Sequence, residues 1–272
     1  MRKPTPTRFL LHLICSLLTC GGMAHASSGQ ANAANAENAA PAVAAAADLK
    51  FVLPQIALAF ERDSGRKLRL SFGSSGVFAR QIAQGAPFEL FLSADESYVE
   101  LLHRARRTVD AGSLYALGRL VLFIPNSSPV QADRKLGDLA AAARDGRLRR
   151  LAIANPEHAP YGRAAREALQ RAGVWQQVEN KLVLGENAAQ AAQFAASGSA
   201  QAGIIPLALA LAPDFAGRGA YATLPENWHA PLRQRMVLIQ GAGETAQRFY
   251  AFMQTPAARA MLARQGFAPP EP

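Results

Sequence analysis

Cysteine is almost absent: 272 residues hold two, Cys15 and Cys20, both near the N-terminus. The rest of the chain therefore has no disulfide framework and no thiolate nucleophile or ligand, so its stability must come from a packed core. Histidine is scarce as well. His103, His158 and His229 stand far apart, without His-x-x-x-His spacing, so no zinc site is expected, and His158, after Pro156-Glu157, reads as a surface or structural residue. Tryptophan is limited to Trp175 and Trp228, which read as packing residues. No stretch beyond the first twenty residues reaches the roughly 18 consecutive apolar residues of a membrane span.

Catalytic motifs are missing too. "GSSG" at Gly73–Gly76 does not satisfy G-x-S-x-G, and "GAG" at Gly241–Gly243 lacks the third glycine and following acid of a dinucleotide site. The reading is non-enzymatic with no cofactor; an exported hydrolase using Ser74 or Ser75 is a remote alternative. Acidic residues number 20 against 29 Lys and Arg, a net charge of +9. The clusters Arg104-Ala-Arg106-Arg107 and Arg147-Leu-Arg149-Arg150 have no interleaved aromatics, so they read as solvated faces rather than a nucleic-acid surface. A basic surface still steers small anions.

What is there begins with an address. Arg2, Lys3 and Arg8 flank an apolar run, Phe9 to Leu18, and Ala24-His25-Ala26 offers a small-x-small cleavage site. Residues 1–26 are expected to be a secretory signal peptide, placing the mature protein in the periplasm. Leu17-Leu18-Thr19-Cys20 is a rival lipoprotein box, with Thr19 awkward before a lipid-anchored Cys20. Residues 27–40 are Ala/Asn/Ser-rich and read as a flexible leader.

From Pro41 onward strands and helices alternate. "AVAAAA" is a short buried strand. Leu49, Val52, Leu53, Ile56 and Phe60 recur at helical spacing, with Asp48 as N-cap and Gly65 as stop, although Pro54 demands either a bend there or a later start. "KLRLSF", "FELFLSA", "RLVLFIP", "RRLAIANP", "KLVLG", "QAGIIP" and "RQRMVLIQ" are expected strands. Between them lie the helices "VFARQIAQ", "DESYVELLHRARR", Pro160 to Gly173 and "NAAQAAQFAAS"; "TAQRFYAFMQ" and a helix opened by Thr255-Pro256 close the chain. The fold class is α/β, in two lobes of mainly parallel sheet flanked by helices. We expect 41–118 with 227–272 to form lobe 1 and 119–226 to form lobe 2, so the chain crosses twice.

Four strand-to-helix junctions carry small or polar residues: Ala47-Asp48, Gly73-Ser74-Ser75-Gly76, Ala159-Pro160-Tyr161-Gly162 and Gly185-Glu186-Asn187-Ala188. Helix N-termini present unpaired N–H groups and partial positive charge, so they hold anions without cations. Taken singly, each such turn more commonly just caps a helix. Converging on one cleft, they would form an oxyanion cage.

The segments "SFGSSGVFARQIAQGAPFELFLSADESYVELL", "ANPEHAPYGRAAREALQRAGVW", "LGENAAQAAQFAASGSAQAGII" and "ARQGF" resemble the periplasmic molybdate-binding proteins of ABC transporters, over essentially the whole chain from Ala42 to Phe267. The resemblance implies a monomeric, two-lobed (type II) binding protein that closes on molybdate or tungstate and delivers it to a membrane permease. The molybdenum enters only as the bound oxyanion, with no direct protein ligand. It implies ligand donors at Asp48, Ser75, Tyr161 and Ala188, with Ala47, Ser74, Gly76 and Asn187 as possible additions.

Asp48 stands where the family commonly has Ser or Asn, and Pro206 where some members have an anion-binding Tyr hydroxyl. A carboxylate about 4 Å from the anion costs about 4 kcal/mol per ligand charge at a dielectric near 20. Either the carboxylate turns away to cap its own helix, or the ligand arrives protonated and Asp48 accepts its proton. The second escape keeps open a receptor for another tetrahedral oxyanion, such as phosphate, arsenate or a sulfate-like ligand.

Overall fold

The computed structural model describes residues 40–270. The expected signal peptide, the lipoprotein box and nearly all of the leader lie outside the described residues.

The chain runs β1 (Ala42–Ala46), a 3₁₀ turn (Ala47–Leu49), α1 (Leu53–Ser64), β2 (Arg69–Gly73), α2 (Ser75–Ala83), β3 (Leu90–Ser93), α3 (Glu96–Arg104), β4 (Ser113–Gly118) and β5 (Leu120–Pro125). It continues through α4 (Gly137–Asp145), β6 (Leu151–Ala154), α5 (Pro160–Arg171), α6 (Trp175–Val178), β7 (Leu182–Gly185), α7 (Ala188–Ala196), β8 (Ala202–Pro206) and α8 (Leu207–Ala210). β9 (Gly219–Thr223), β10 (Leu232–Leu238), α9 (Glu244–Met253) and α10 (Pro256–Arg264) complete it.

Two five-stranded sheets result, ordered β2-β1-β3-β10-β4 and β7-β6-β8-β5-β9. In each, four strands run one way and a single strand, β10 or β5, runs antiparallel to both its neighbours. The chain leaves the first sheet between β4 and β5 and returns between β9 and β10. This double crossing gives the two-lobed periplasmic binding protein fold.

β1 is built from small residues because both its faces are covered. Val43 and Ala45 pack with Leu53, Ile56, Phe249 and Leu262 on one side, and Ala44 packs with Phe78, Ile82, Val99 and Leu102 on the other. Successive strand residues point to opposite faces, so one five-residue strand sits at the centre of two helical layers. In the second sheet β5 is buried throughout, as a continuous apolar run requires of a central strand. Trp175 and Trp228 pack against that lobe's core.

The first helix starts later than its periodicity suggests. Asp48 is not its N-cap: it lies in the 3₁₀ turn, and α1 begins at Leu53 with Pro54 in its first turn. A first-turn proline forfeits no intrahelical hydrogen bond, because that N–H has no acceptor. Gly65 closes the helix at φ 70°, a conformation that favours glycine. Thr255 caps α10 by accepting from the Ala258 N–H at 3.3 Å.

Candidate functional site

Parallel strands end in loops that deliver helix N-termini to one edge of a sheet, and here those edges face each other. Between them lies a narrow cavity of about 10 Å³, lined by Ala46, Ala47, Asp48, Gly73, Ser74, Ser75, Ala94, Ala159, Pro160, Tyr161 and Ala188. That is room for about one water-sized sphere, so the space takes only a small ligand. Among the described residues, no Lys, Arg or His side chain lines it.

The structure therefore brings together Ala47, Asp48, Ser74, Ser75, Tyr161 and Ala188. Ser75 opens α2, Tyr161 stands in the first turn of α5 and Ala188 opens α7, positions whose N–H groups find no acceptor within their own helix. The Ser75 hydroxyl oxygen accepts from the Ala94 N–H at 3.0 Å, which leaves its proton free to donate elsewhere.

Gly76 and Asn187 do not line the cavity. The Gly76 N–H donates to the His158 carbonyl at 3.0 Å, and a Cβ built on Gly76 would meet that carbonyl at 2.6 Å. Asn187 caps α7, its side chain accepting from Gln190 N at 3.1 Å. Pro206 sits outside the cavity too, buried at the end of β8.

Ser74 is a cross-lobe contact. Its hydroxyl donates to the His158 carbonyl and lies 3.0 Å from His158 Nδ1. With its single proton on the carbonyl, the serine can only accept from Nδ1–H, so this imidazole is not poised as a base for it. His158 is thus a structural residue at the seam between the lobes, with Glu186 Oε2 3.6 Å from its Nε2. A second seam contact joins Arg163 of α5 to Asp95, the N-cap of α3.

Beneath the cavity is a buried polar network that the sequence pattern does not announce. Gln234, fully buried on β10, donates from Nε2 to Asp48 Oδ2 at 2.6 Å and to the Tyr161 hydroxyl at 3.0 Å. Its Oε1 accepts from the Tyr115 hydroxyl at 2.6 Å. Residues 232, 234 and 236 share the buried parity of β10, so a glutamine between a leucine and a methionine on that face is the one available signal. Tyr115 lies on β4, a strand not expected from the pattern.

Asp48 is 1% exposed. Burial pushes its carboxyl up to about 6, against the hydrogen bond from Gln234 and smaller help from the Tyr161 hydroxyl and the backbone N–H groups of Asp48 and Leu49. Its Oδ1 is buried and receives no hydrogen bond of good geometry. Burial, reinforced by the Asp48 charge, drives the Tyr115 and Tyr161 phenols well above their ordinary range, so both remain neutral hydroxyls.

Comparison with known proteins bears on this arrangement. Residues 41–268 match the family described as bacterial extracellular solute-binding protein. The chain is 36% identical over 229 residues to "Molybdate-binding protein ModA" of Azotobacter vinelandii, covering 83% of this chain and 88% of that one. It is 35% identical over 240 residues to the protein of the same name from Rhodobacter capsulatus, covering 84% and 89%. The solved Azotobacter vinelandii periplasmic molybdate-binding protein superposes with a TM-score of 0.78 at 30% identity, over 85% of this chain and all of that one.

Proposed function

The chain belongs to the bacterial extracellular solute-binding proteins, within their ModA molybdate-binding group, and from that premise we propose that it captures molybdate, and tungstate with it, in the cavity between its lobes. The family is one of binding proteins serving ABC transporters, not of enzymes. The relatives are named for molybdate; that this chain holds the same anion, and through which residues, is our reading.

One observation carries it. The starts of three full helices from both sheets, α2, α5 and α7, line a single small cavity that contains no cationic side chain among the described residues. Converging N–H groups stabilise a dianion by their partial charges and require no counter-ion. The donors would be the hydroxyl and N–H of Ser75 and the N–H groups of Tyr161, Ala188 and the Ala47-Asp48 turn. Because the donors sit on two separately rigid sheets, full closure sets one anion radius, which separates molybdate and tungstate from the smaller sulfate. The loaded protein would then dock on the permease that imports the anion.

A second reading rests on Asp48, an acidic residue among those that line the same cavity. A ligand that still carries a proton, such as hydrogen phosphate or arsenate, can donate it to that carboxylate. A thermal-shift panel of molybdate, tungstate, sulfate, phosphate and arsenate separates the two. Molybdate and tungstate should raise the melting temperature at micromolar concentration. A shift confined to phosphate and arsenate would favour the second reading.

A further inference from the structure

An anion receptor with a carboxylate in its binding cavity faces a repulsion that neither of the two escapes expected from sequence removes. The Asp48 side chain does not cap a helix, and molybdate near neutral pH is a dianion with no proton to offer. The surrounding hydrogen bonds supply a different solution.

The Tyr115 hydroxyl donates to Gln234 Oε1. With the amide so oriented, its NH₂ points toward Asp48 and Tyr161 and Asp48 Oδ2 is an acceptor; the Ser93 carbonyl is a second, longer acceptor for the Tyr115 hydroxyl, at 3.3 Å. If the carboxyl holds a proton, the proton therefore belongs on Oδ1, the one buried atom of the group without a good partner. An unpartnered oxygen on a carboxylate buried beside an anion cavity is costly while charged, and becomes a donor once protonated.

Resting on the molybdate reading, we propose that Asp48 takes up one proton from solvent as the anion binds, and carries it on Oδ1 toward the ligand. In the free protein the group exchanges its proton with water. In the complex, a neutral carboxyl and a dianion replace two like charges. The Asp48 carboxyl, pushed up to about 6 by burial against the hydrogen bonds it receives, is consistent with this, because an adjacent dianion raises it further.

Among the described residues the rival for that proton at the cavity rim is His158, whose Nδ1 lies 3.0 Å from the cavity-lining Ser74 hydroxyl, and Asp48→Asn separates its proton from that of Asp48. Tyr161 on α5 and Tyr115 on β4 face it as neutral phenols. α7 and α8, which also pack on the turn, contain no ionisable residue. Arg233 and Arg235 of β10 are paired with Glu96 at 2.5 and 2.9 Å, and Arg163 is paired with Asp95. Lys50, next along the chain, is exposed, and Arg69 of β2 pairs with the far end of β1.

The test is titration calorimetry with sodium molybdate at pH 6.0, 7.0 and 8.0. At each pH it uses two non-phosphate buffers of different ionisation enthalpy, which gives the number of protons taken up. Wild type should take up close to one proton at pH 8.0, with affinity falling up to tenfold per pH unit. Asp48→Asn presents an amide N–H in place of the carboxyl O–H, and should bind with no proton uptake and less than a twofold change across the range. Asp48→Ser, with an always-available hydroxyl, provides the same readout should the Asn variant fold poorly.

Binding by wild type without proton uptake, or equal uptake in Asp48→Asn, would overturn the proposal while leaving the receptor reading intact. No binding of molybdate by any of the three proteins at pH 6.0 would remove the receptor reading, and this inference with it.

Discussion

Gln234 Nε2 stands 2.6 Å from Asp48 Oδ2, joining the last strand of the first sheet to the turn that follows its first strand. The bond satisfies half of a fully buried carboxylate. Gln234→Ala removes a donor to a charged group, a change of about 1.5–3 kcal/mol. It should also raise the Asp48 carboxyl further, because the lost bond favours the charged form. Urea unfolding at pH 7 and pH 5 checks both effects: the variant should be destabilised at pH 7 and less so at pH 5.

Asp48 is itself a source of instability at neutral pH. Its folded value, about 6 against an ordinary 3.8, means that the native state binds the proton more tightly than the unfolded chain. Its charged form therefore penalises folding as pH rises from about 4 through 6, by roughly 3 kcal/mol once fully ionised. Ligand-free Asp48→Asn should be more stable than wild type at pH 7.5, with the difference closing toward pH 4. Melting curves across that range read it directly.

Gly76 allows the lobes to meet. An added Cβ would lie 2.6 Å from the His158 carbonyl and 2.8 Å from the Tyr98 hydroxyl, the first of these across the seam. Gly76→Ala should leave the ligand-free melting temperature within a few degrees of wild type while weakening molybdate binding at least tenfold. Small-angle scattering should show a smaller ligand-induced contraction than in wild type.

Ser75→Ala deletes the one hydroxyl at the cavity whose oxygen is already engaged, by Ala94 N–H at 3.0 Å, and whose proton is free. A hydrogen bond to a charged acceptor is worth about 1.5–3 kcal/mol, so affinity should fall roughly tenfold to a hundredfold. The Ala94 N–H also loses its partner, so a loss of about 1–3 kcal/mol in ligand-free stability should accompany it.

β1, β3, β5, β6 and β8 are legible in the sequence because they are buried almost throughout and read as short apolar runs. β4, "SLYALG", and β9, "GAYAT", are not, since they are edge strands with partly exposed residues and their apolar content does not alternate. α4, "GDLAAAARD", is equally hard to read, because alanine fits helix, strand or loop alike and its N-cap, Leu136, adopts φ 60°.

At the site, the junctions at Ser75, Tyr161 and Ala188 are visible because local chemistry makes a helix start. Asp48 is conspicuous for a reason that does not hold, since an aspartate before a helical pattern is ordinarily a cap, and only the late start at Leu53, with Pro54 in the first turn, releases it for another role. Gln234 and Tyr115 reach Asp48 across 186 residues in the one case and through Gln234 in the other. Sequence spacing carries no trace of such a contact beyond a polar residue at a buried parity.

Whether this chain is a molybdate receptor is decided by titrating the purified protein with molybdate at pH 6.5, alongside Ser75→Ala. Wild type should bind one molybdate per chain, the variant should bind markedly more weakly, and sulfate at the same concentration should give no heat. Equal affinity for molybdate in the two proteins, or saturable sulfate binding as tight as that of molybdate, would refute the assignment.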